Sequence, residues 1–385
     1  MRAALCAIAL LLFTGSVEAQ SIKLAWDPNP ETDIAGYTVC FGVSPSLNCA
    51  SNFKVGKTTT TRVSGLAIGQ RYYFAIKAYD SEGLESPLSA VVSGIVGVTP
   101  LAVGDFDGDK RRDMTVFRPA NGTWYILRSS NNFGSADSYT FGVTGDLPVP
   151  GDYDGDGTTD IAVFRPGNGV WYILKSSAGF ASAASYTWGA KGDIPVPGDY
   201  DGDGITDVAV FRPSNGYWYL LKSSTKFTAA VSYSWGVNGD RPVPSDYDGD
   251  GKTDIAVYRP GNGTWYVAKS SNNFTAAVNY QWGVAKDVPV PGDYDGDGKT
   301  DVAVYRPSNG VWYILRSTTK SAISRTWGVS TDVPAAGDYD GDKKTDIAVY
   351  RPSNGAWYIL SSSTNFAAGA SYTWGVAGDL PISGQ

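Results

Sequence analysis

From about residue 98 onward, apolar and polar positions alternate in blocks that recur at 47-residue intervals. One block holds the apolar run Ile161-Ala162-Val163-Phe164, then Trp171-Tyr172-Ile173-Leu174, then a polar loop and Tyr186-Thr187-Trp188. Short runs rich in β-branched and aromatic residues, bounded by Gly, Pro, Asn and Asp, predict strands. Asn-Gly pairs at Asn121, Asn168, Asn215, Asn262, Asn309 and Asn354 separate the first two runs, and this dipeptide favours a tight hairpin. A Pro-rich segment such as Leu147-Pro148-Val149-Pro150 precedes each first run. Four short strands therefore fit in each repeat, the spacing of a β-propeller blade.

The polar positions carry their own repeat. Asp-x-Asp-x-Asp-x-x-x-Asp occurs six times, spaced by 47 residues four times and by 45 once. The first two sets are Asp105, Asp107, Asp109, Asp113 and Asp152, Asp154, Asp156, Asp160. The next two are Asp199, Asp201, Asp203, Asp207 and Asp246, Asp248, Asp250, Asp254. Asp293, Asp295, Asp297, Asp301 and Asp338, Asp340, Asp342, Asp346 complete the series. Carboxylates at positions 1, 3, 5 and 9 of a curled loop supply the hard oxygen ligands that calcium prefers, and Gly at position 6 permits a sharp turn. Up to six calcium ions are predicted. An EF-hand would require a Glu at position 12, but Val163, Val210, Val257 and Val304 stand there in four copies. The loop is thus expected to join two strands. Lys110 and Lys343 replace the position-6 Gly in the first and last copies, which predicts weaker sites there.

The two residues missing from the shorter interval are assigned to the polar loop around Thr318 to Ser324, where a deletion spares the strands. Gly378-Asp379-Leu380-Pro381 starts the motif again just before the end. It is read as a closing strand for six blades, with the stub of a seventh blade as the alternative.

Residues 1–19 combine Arg2, an apolar stretch from Ala3 to Phe13 and the small-residue ending Val17-Glu18-Ala19. This is the pattern of a secretory signal peptide cleaved near Ala19, and it predicts a secreted or cell-surface protein. Cys6 would leave with the signal. Cys40 and Cys49 remain as a pair, for which one local disulfide is the economical reading.

Residues 20–97 lack the repeat. Trp26, the strand-like Gly36-Tyr37-Thr38-Val39, the run from Leu66 through Tyr72-Tyr73-Phe74 to Ala78, and Gly83-Leu84-Glu85-Ser86-Pro87 follow one another in order. This succession resembles a fibronectin type III domain, which implies a β-sandwich with Trp26 in its core and Tyr72 at its tyrosine corner. Residues 98–385 resemble the FG-GAP or VCBS repeats of integrin α-subunit propellers and of many secreted bacterial proteins. The Asp loops carry the likeness, while Pro-Val-Pro-Gly stands where Phe-Gly-Gly-Ala-Pro would be. The resemblance implies that each Asp loop joins the innermost strand of a blade to the second. The expected fold is all-β, a sandwich followed by a propeller.

The formal charge of -7 adds little about partners, because six loops of four Asp hold 24 of the 38 acidic residues. No basic stripe suggests nucleic acid, and no late apolar stretch suggests a membrane span. The chain has no His, which removes Ser-His-Asp and Cys-His nucleophile systems and His-ligated metals. Acids committed to cations stay ionised, which disfavours glycoside hydrolysis. The Trp-Tyr pairs and the Arg-Pro pairs, Arg118 to Arg351, are regular enough to be read as packing between blades and as inter-blade hydrogen bonds or ion pairs, the functional alternatives being aromatic faces for a sugar ring and a rim of carboxylate or sulfate contacts. No enzyme is expected. The functional expectation is a calcium-binding adhesion or ligand-binding module for an extracellular protein or glycan, the alternatives being a calcium-dependent polysaccharide lyase and a structural spacer.

Overall fold

A computed structural model describes residues 8–11, 21–44, 46–64, 66, 71–95 and 104–382, in two compact units, Met1–Thr99 and Pro100–Gln385. The first unit is a pair of antiparallel sheets. One contains Ile8–Leu11, Ser21–Trp26 and Thr60–Ser64, and the other Ser51–Val55, Ile34–Gly42, Arg71–Asp80 and Val92–Ile95. Alternate residues of these strands bury Leu24, Trp26, Tyr37, Val39, Phe74 and Ile76 in one core. Trp26 meets Tyr37 edge-on at 5.3 Å, and Tyr72 stands half-buried beside Phe74. Cys40 and Cys49 are disulfide-bonded, closing the connection between the strands Ile34–Gly42 and Ser51–Val55. Most of the expected signal segment, including its cleavage point, lies outside the described residues. Ile8–Leu11 pairs antiparallel with Ser21–Trp26 as an edge strand, a place that cleavage near Ala19 would vacate.

The second unit holds six four-stranded antiparallel sheets. The second sheet is typical: Leu147–Pro148, Ile161–Arg165, Val170–Leu174 and Ala183–Thr187 lie in that order. Its second strand is buried on both faces, which explains the unbroken apolar run, whereas the last strand alternates exposed and half-buried residues. The first sheet is assembled from both ends of the unit. Leu380–Pro381 pairs with Met114–Arg118 in the register Leu380↔Phe117 and Pro381↔Val116, the counterpart of Leu147↔Phe164 and Pro148↔Val163.

Each apolar cluster spans two successive sheets. Val149, Phe164 and Trp171 pack with Val208, Val210 and Leu221 of the next, and Met114, Val116 and Leu127 of the first sheet pack with Tyr350 and Trp357 of the last. The Trp of all six Trp-Tyr pairs is fully buried, as the packing reading expects. The outer-strand Trp residues are half-buried and donate Nε1–H to a carbonyl of the following sheet. Trp188 reaches Tyr219 O at 3.0 Å, and Trp374 reaches back to Tyr125 O at 3.3 Å.

The shortened fifth repeat keeps its strands but loses a ring contact. In the first four repeats a loop Phe packs on a Tyr of the preceding sheet, as Phe227 does on Tyr186 at 4.5 Å, and in the sixth Phe366 lies under Arg325. The fifth has no such Phe, and Lys320 lies over Tyr280 instead.

Candidate metal sites in the Asp loops

Five Asp loops lie between the short first strand of a sheet and its second strand, and the Asp105 loop leads into Met114–Arg118, whose short-strand partner is Leu380–Pro381. Val163, Val210, Val257 and Val304 are buried in those second strands. The loop curls around its own first carboxylate: Asp152 accepts N–H from Gly155 through Oδ1 at 2.6 Å and from Gly157 through Oδ2 at 2.8 Å. The same two bonds form on Asp105, Asp199, Asp246, Asp293 and Asp338. Position 6 has positive φ throughout, including 71° at Lys110 and 69° at Lys343. The two Lys residues therefore occupy backbone that favours Gly.

The last carboxylate of each loop anchors it to the sheet. Asp160 Oδ2 accepts Tyr153 N–H at 2.9 Å, and Oδ1 accepts Ser176 N–H at 2.7 Å. Asp113, Asp207, Asp254, Asp301 and Asp346 bond alike. A hydroxyl pair belongs to this arrangement and was not expected from the sequence. Ser176 Oγ donates to Asp156 and Ser177 Oγ to Asp154, as Ser223 and Ser224 do to Asp203 and Asp201. The signal was the recurrence of Ser-Ser, or Ser317-Thr318, at one place in the supposedly plain polar loop.

Three carboxylate oxygens from each of the sets Asp105/Asp107/Asp113, Asp152/Asp154/Asp160, Asp199/Asp201/Asp203, Asp246/Asp248/Asp250 and Asp293/Asp295/Asp297 lie within 4.8 Å of one another. A metal ion fits this donor set, because one carboxylate oxygen remains over. Oδ1 of Asp154, Asp201, Asp248 and Asp295 is buried and has no hydrogen-bond partner. Such an atom carries a large desolvation penalty unless a cation or proton meets it. The first and last loops differ. There Oδ1 of Asp107 and Asp340 accepts a backbone N–H from Asp109 and Asp342, and Arg111 pairs with Asp109 at 3.0 Å.

Burial raises the carboxyl pKa of Asp113, Asp152, Asp199, Asp207, Asp254 and Asp346 to about 7, and of Asp105, Asp246, Asp301 and Asp338 to about 6. Asp160, Asp203, Asp250 and Asp293 move the same way. Without an ion, then, these acids take up protons more readily than the sequence reading allowed. The cause is desolvation, reinforced by neighbouring carboxylates.

Successive loops are tied together. Asp152 O accepts Thr206 N–H at 2.6 Å, and Asp338 O accepts Arg112 N–H at 2.6 Å. At the opposite end of the long strands stand the Arg residues of the Arg-Pro pairs. Each makes a two-pronged ion pair with an Asp just before the short strand, as Arg165 does with Asp146 at 2.8 and 2.9 Å, and each stacks on a Tyr such as Tyr172. The Asp partners had no assigned role in the sequence reading. Five of the six precede their Arg by 19 residues, a legible signal.

Fibronectin type III character matches over residues 7–95. A Kelch domain-containing protein of Saccharolobus solfataricus is 36% identical over 84 residues, 22% of this chain, and the chain spans 10% of that relative's length. Among solved structures, an auxiliary nutrient binding protein from Bacteroides ovatus matches with TM-score 0.40 and 11% identity over 95% of both chains. The Dos1 propeller has TM-score 0.38 and 10% identity, over 88% of this chain and 87% of that one. The FG-GAP-like repeat matches residues 105–163, 152–210, 199–257, 246–304 and 293–349; spanning well over half of its length, these matches make the chain a member of the FG-GAP-like repeat family.

Proposed function

We propose that this chain is an extracellular, non-catalytic binding module: a six-bladed propeller, closed by Leu380–Pro381 and held rigid by calcium, beside a fibronectin type III domain. The observation that carries the metal reading is the set of buried, unbonded carboxylate oxygens on Asp154, Asp201, Asp248 and Asp295. Calcium suits an all-oxygen loop that adds backbone carbonyls to carboxylates. Extracellular sites of this kind bind in the range of about 10⁻⁴ to 10⁻³ M, so millimolar calcium contributes roughly 0.4 to 1.4 kcal/mol per site. The disulfide supports an oxidising compartment.

The ligand class we propose is a glycan or an extracellular protein. Non-catalytic binding is favoured over a lyase because the acids cluster in repeated loops and no repeat carries an insertion that would build a unique cleft. Titration calorimetry on the full chain should count four tighter and two weaker calcium ions, and a chelator should lower the melting temperature of the repeat unit. A glycan array with and without calcium tests the ligand. Identical melting in calcium and chelator would remove the metal reading, while calcium-dependent polysaccharide cleavage would replace binding with catalysis.

A further inference from the structure

The second strand of each sheet leaves its Asp loop at one end and reaches its Arg at the other, so the Arg–Asp pairs mark the end remote from the loops. At this end four exposed apolar side chains occupy one repeat position, the first residue of the short strand: Leu147, Ile194, Val333 and Leu380. Together with four Pro residues they line one cavity of about 540 Å³. That volume is in the range of small-molecule pockets.

The lining presents no charge to an occupant. Its one ionisable side chain is Asp379, whose two carboxylate oxygens accept Nε–H and Nη2–H of Arg118 and the N–H of Val376, and which has no exposed surface. Proline has no N–H, so the four Pro residues add no backbone donor. Nor does folding demand the apolar character. The fourth sheet begins its short strand with Arg241 and keeps the register, Arg241↔Tyr258 in place of Leu147↔Phe164. Apolar side chains that the strand does not require thus stand in water around a cavity, and an apolar occupant would remove that exposure.

We infer that this cavity binds a small uncharged aliphatic molecule, held by Leu147, Ile194, Val333 and Leu380 through burial of hydrocarbon surface. A charged ligand would lose hydration against this lining without meeting a counter-charge. The site uses none of the Asp loops and is separate from the glycan or protein ligand proposed above.

The test is titration calorimetry of the full chain in calcium with 1-hexanol, 1-heptanol and 1-octanol. Binding should saturate, and each added CH₂ should tighten it roughly fourfold, the factor for one buried methylene. Ile194→Arg copies the residue that the fourth sheet carries at this position, so the fold accommodates it. It should weaken 1-octanol binding roughly tenfold or more, and so should Leu147→Ser. Val284→Arg, at an exposed Val outside the lining, should leave the affinity unchanged. Melting curves report whether each variant folds. Absence of saturable binding at millimolar 1-octanol, affinity independent of chain length, or unchanged affinity in folded Ile194→Arg would overturn the inference. Dimerisation of the full chain that Ile194→Arg abolishes, without alcohol binding, would assign the surface to a second copy and overturn it equally.

Discussion

Arg118 and Asp379, 261 residues apart, form a two-pronged ion pair, Nε to Oδ1 at 2.7 Å and Nη2 to Oδ2 at 2.9 Å. The other five Arg residues find their Asp 19 residues upstream, but at that distance from Arg118 stands Thr99. The C-terminal segment supplies the missing acid together with the missing strand, and Asp379 also accepts Val376 N–H.

Asp379→Asn should therefore weaken the seam between the ends of the repeat unit. Losing a charge-assisted pair with one fully buried partner costs about 2 kcal/mol. The equivalent Asp240→Asn removes a pair of the same geometry between residues close in sequence. Both variants should melt earlier, but only Asp379→Asn should release a C-terminal fragment early in limited proteolysis. Equal cleavage patterns would mean that the seam does not depend on this pair.

Protonation of the Asp loops in metal-free solution gives stability a definite pH dependence. Asp207 and Asp254 rise from an ordinary value of 3.8 to about 7 through burial. Between those values the folded, ion-free chain binds more protons than the unfolded one, so its stability falls as pH increases through that window. Calcium requires the ionised carboxylates, and its benefit grows over the same range. In chelator the repeat unit should melt at progressively lower temperature from pH 5 to pH 8, and millimolar calcium should flatten or reverse the trend. A metal-free melting temperature that climbs across this range would contradict the assignment.

What could be read from the sequence was what is local or periodic. The strands, hairpins and Asp loops follow from residues within a few positions of each other, repeated until chance is implausible. The Ser pair at Ser176 and Ser177 was hidden because a hydroxyl in a polar loop looks solvated until the fold lays it on Asp156 and Asp154. Arg112 was hidden for the opposite reason. It stands once where the other repeats have Thr, and its contact with Ile382 O joins residues 270 apart.

The disulfide contributes through the unfolded chain. Cys40 and Cys49 close a loop with a sequence separation of 9, for which loss of unfolded-state entropy corresponds to about 2.5 kcal/mol. A Cys40→Ala, Cys49→Ala double variant should lower the melting transition of the first unit and leave that of the repeat unit in place. If both transitions moved together, the two units would not be unfolding independently.

The Asp loops should be unequal in their hold on calcium. Lys110 and Lys343 keep positive φ at a position where the other four loops have Gly, a strain of about 1 kcal/mol, and each brings a positive charge into a loop that must accept a cation. In the same two loops Oδ1 of Asp107 and Asp340 already accepts a backbone N–H, whereas its counterparts on Asp154, Asp201, Asp248 and Asp295 have no partner. Lowering calcium in steps should empty the Asp105 and Asp338 loops first. Lys110→Gly and Lys343→Gly should each tighten one site several-fold, because they remove both the charge and the strain. Asp154→Asn keeps the volume of the side chain but removes its charge and one of its two ligand oxygens, so it should cost one of the tight ions and lower the melting temperature only when calcium is present. Six indistinguishable sites by calorimetry, or Lys→Gly variants with unchanged affinity, would refute this ordering.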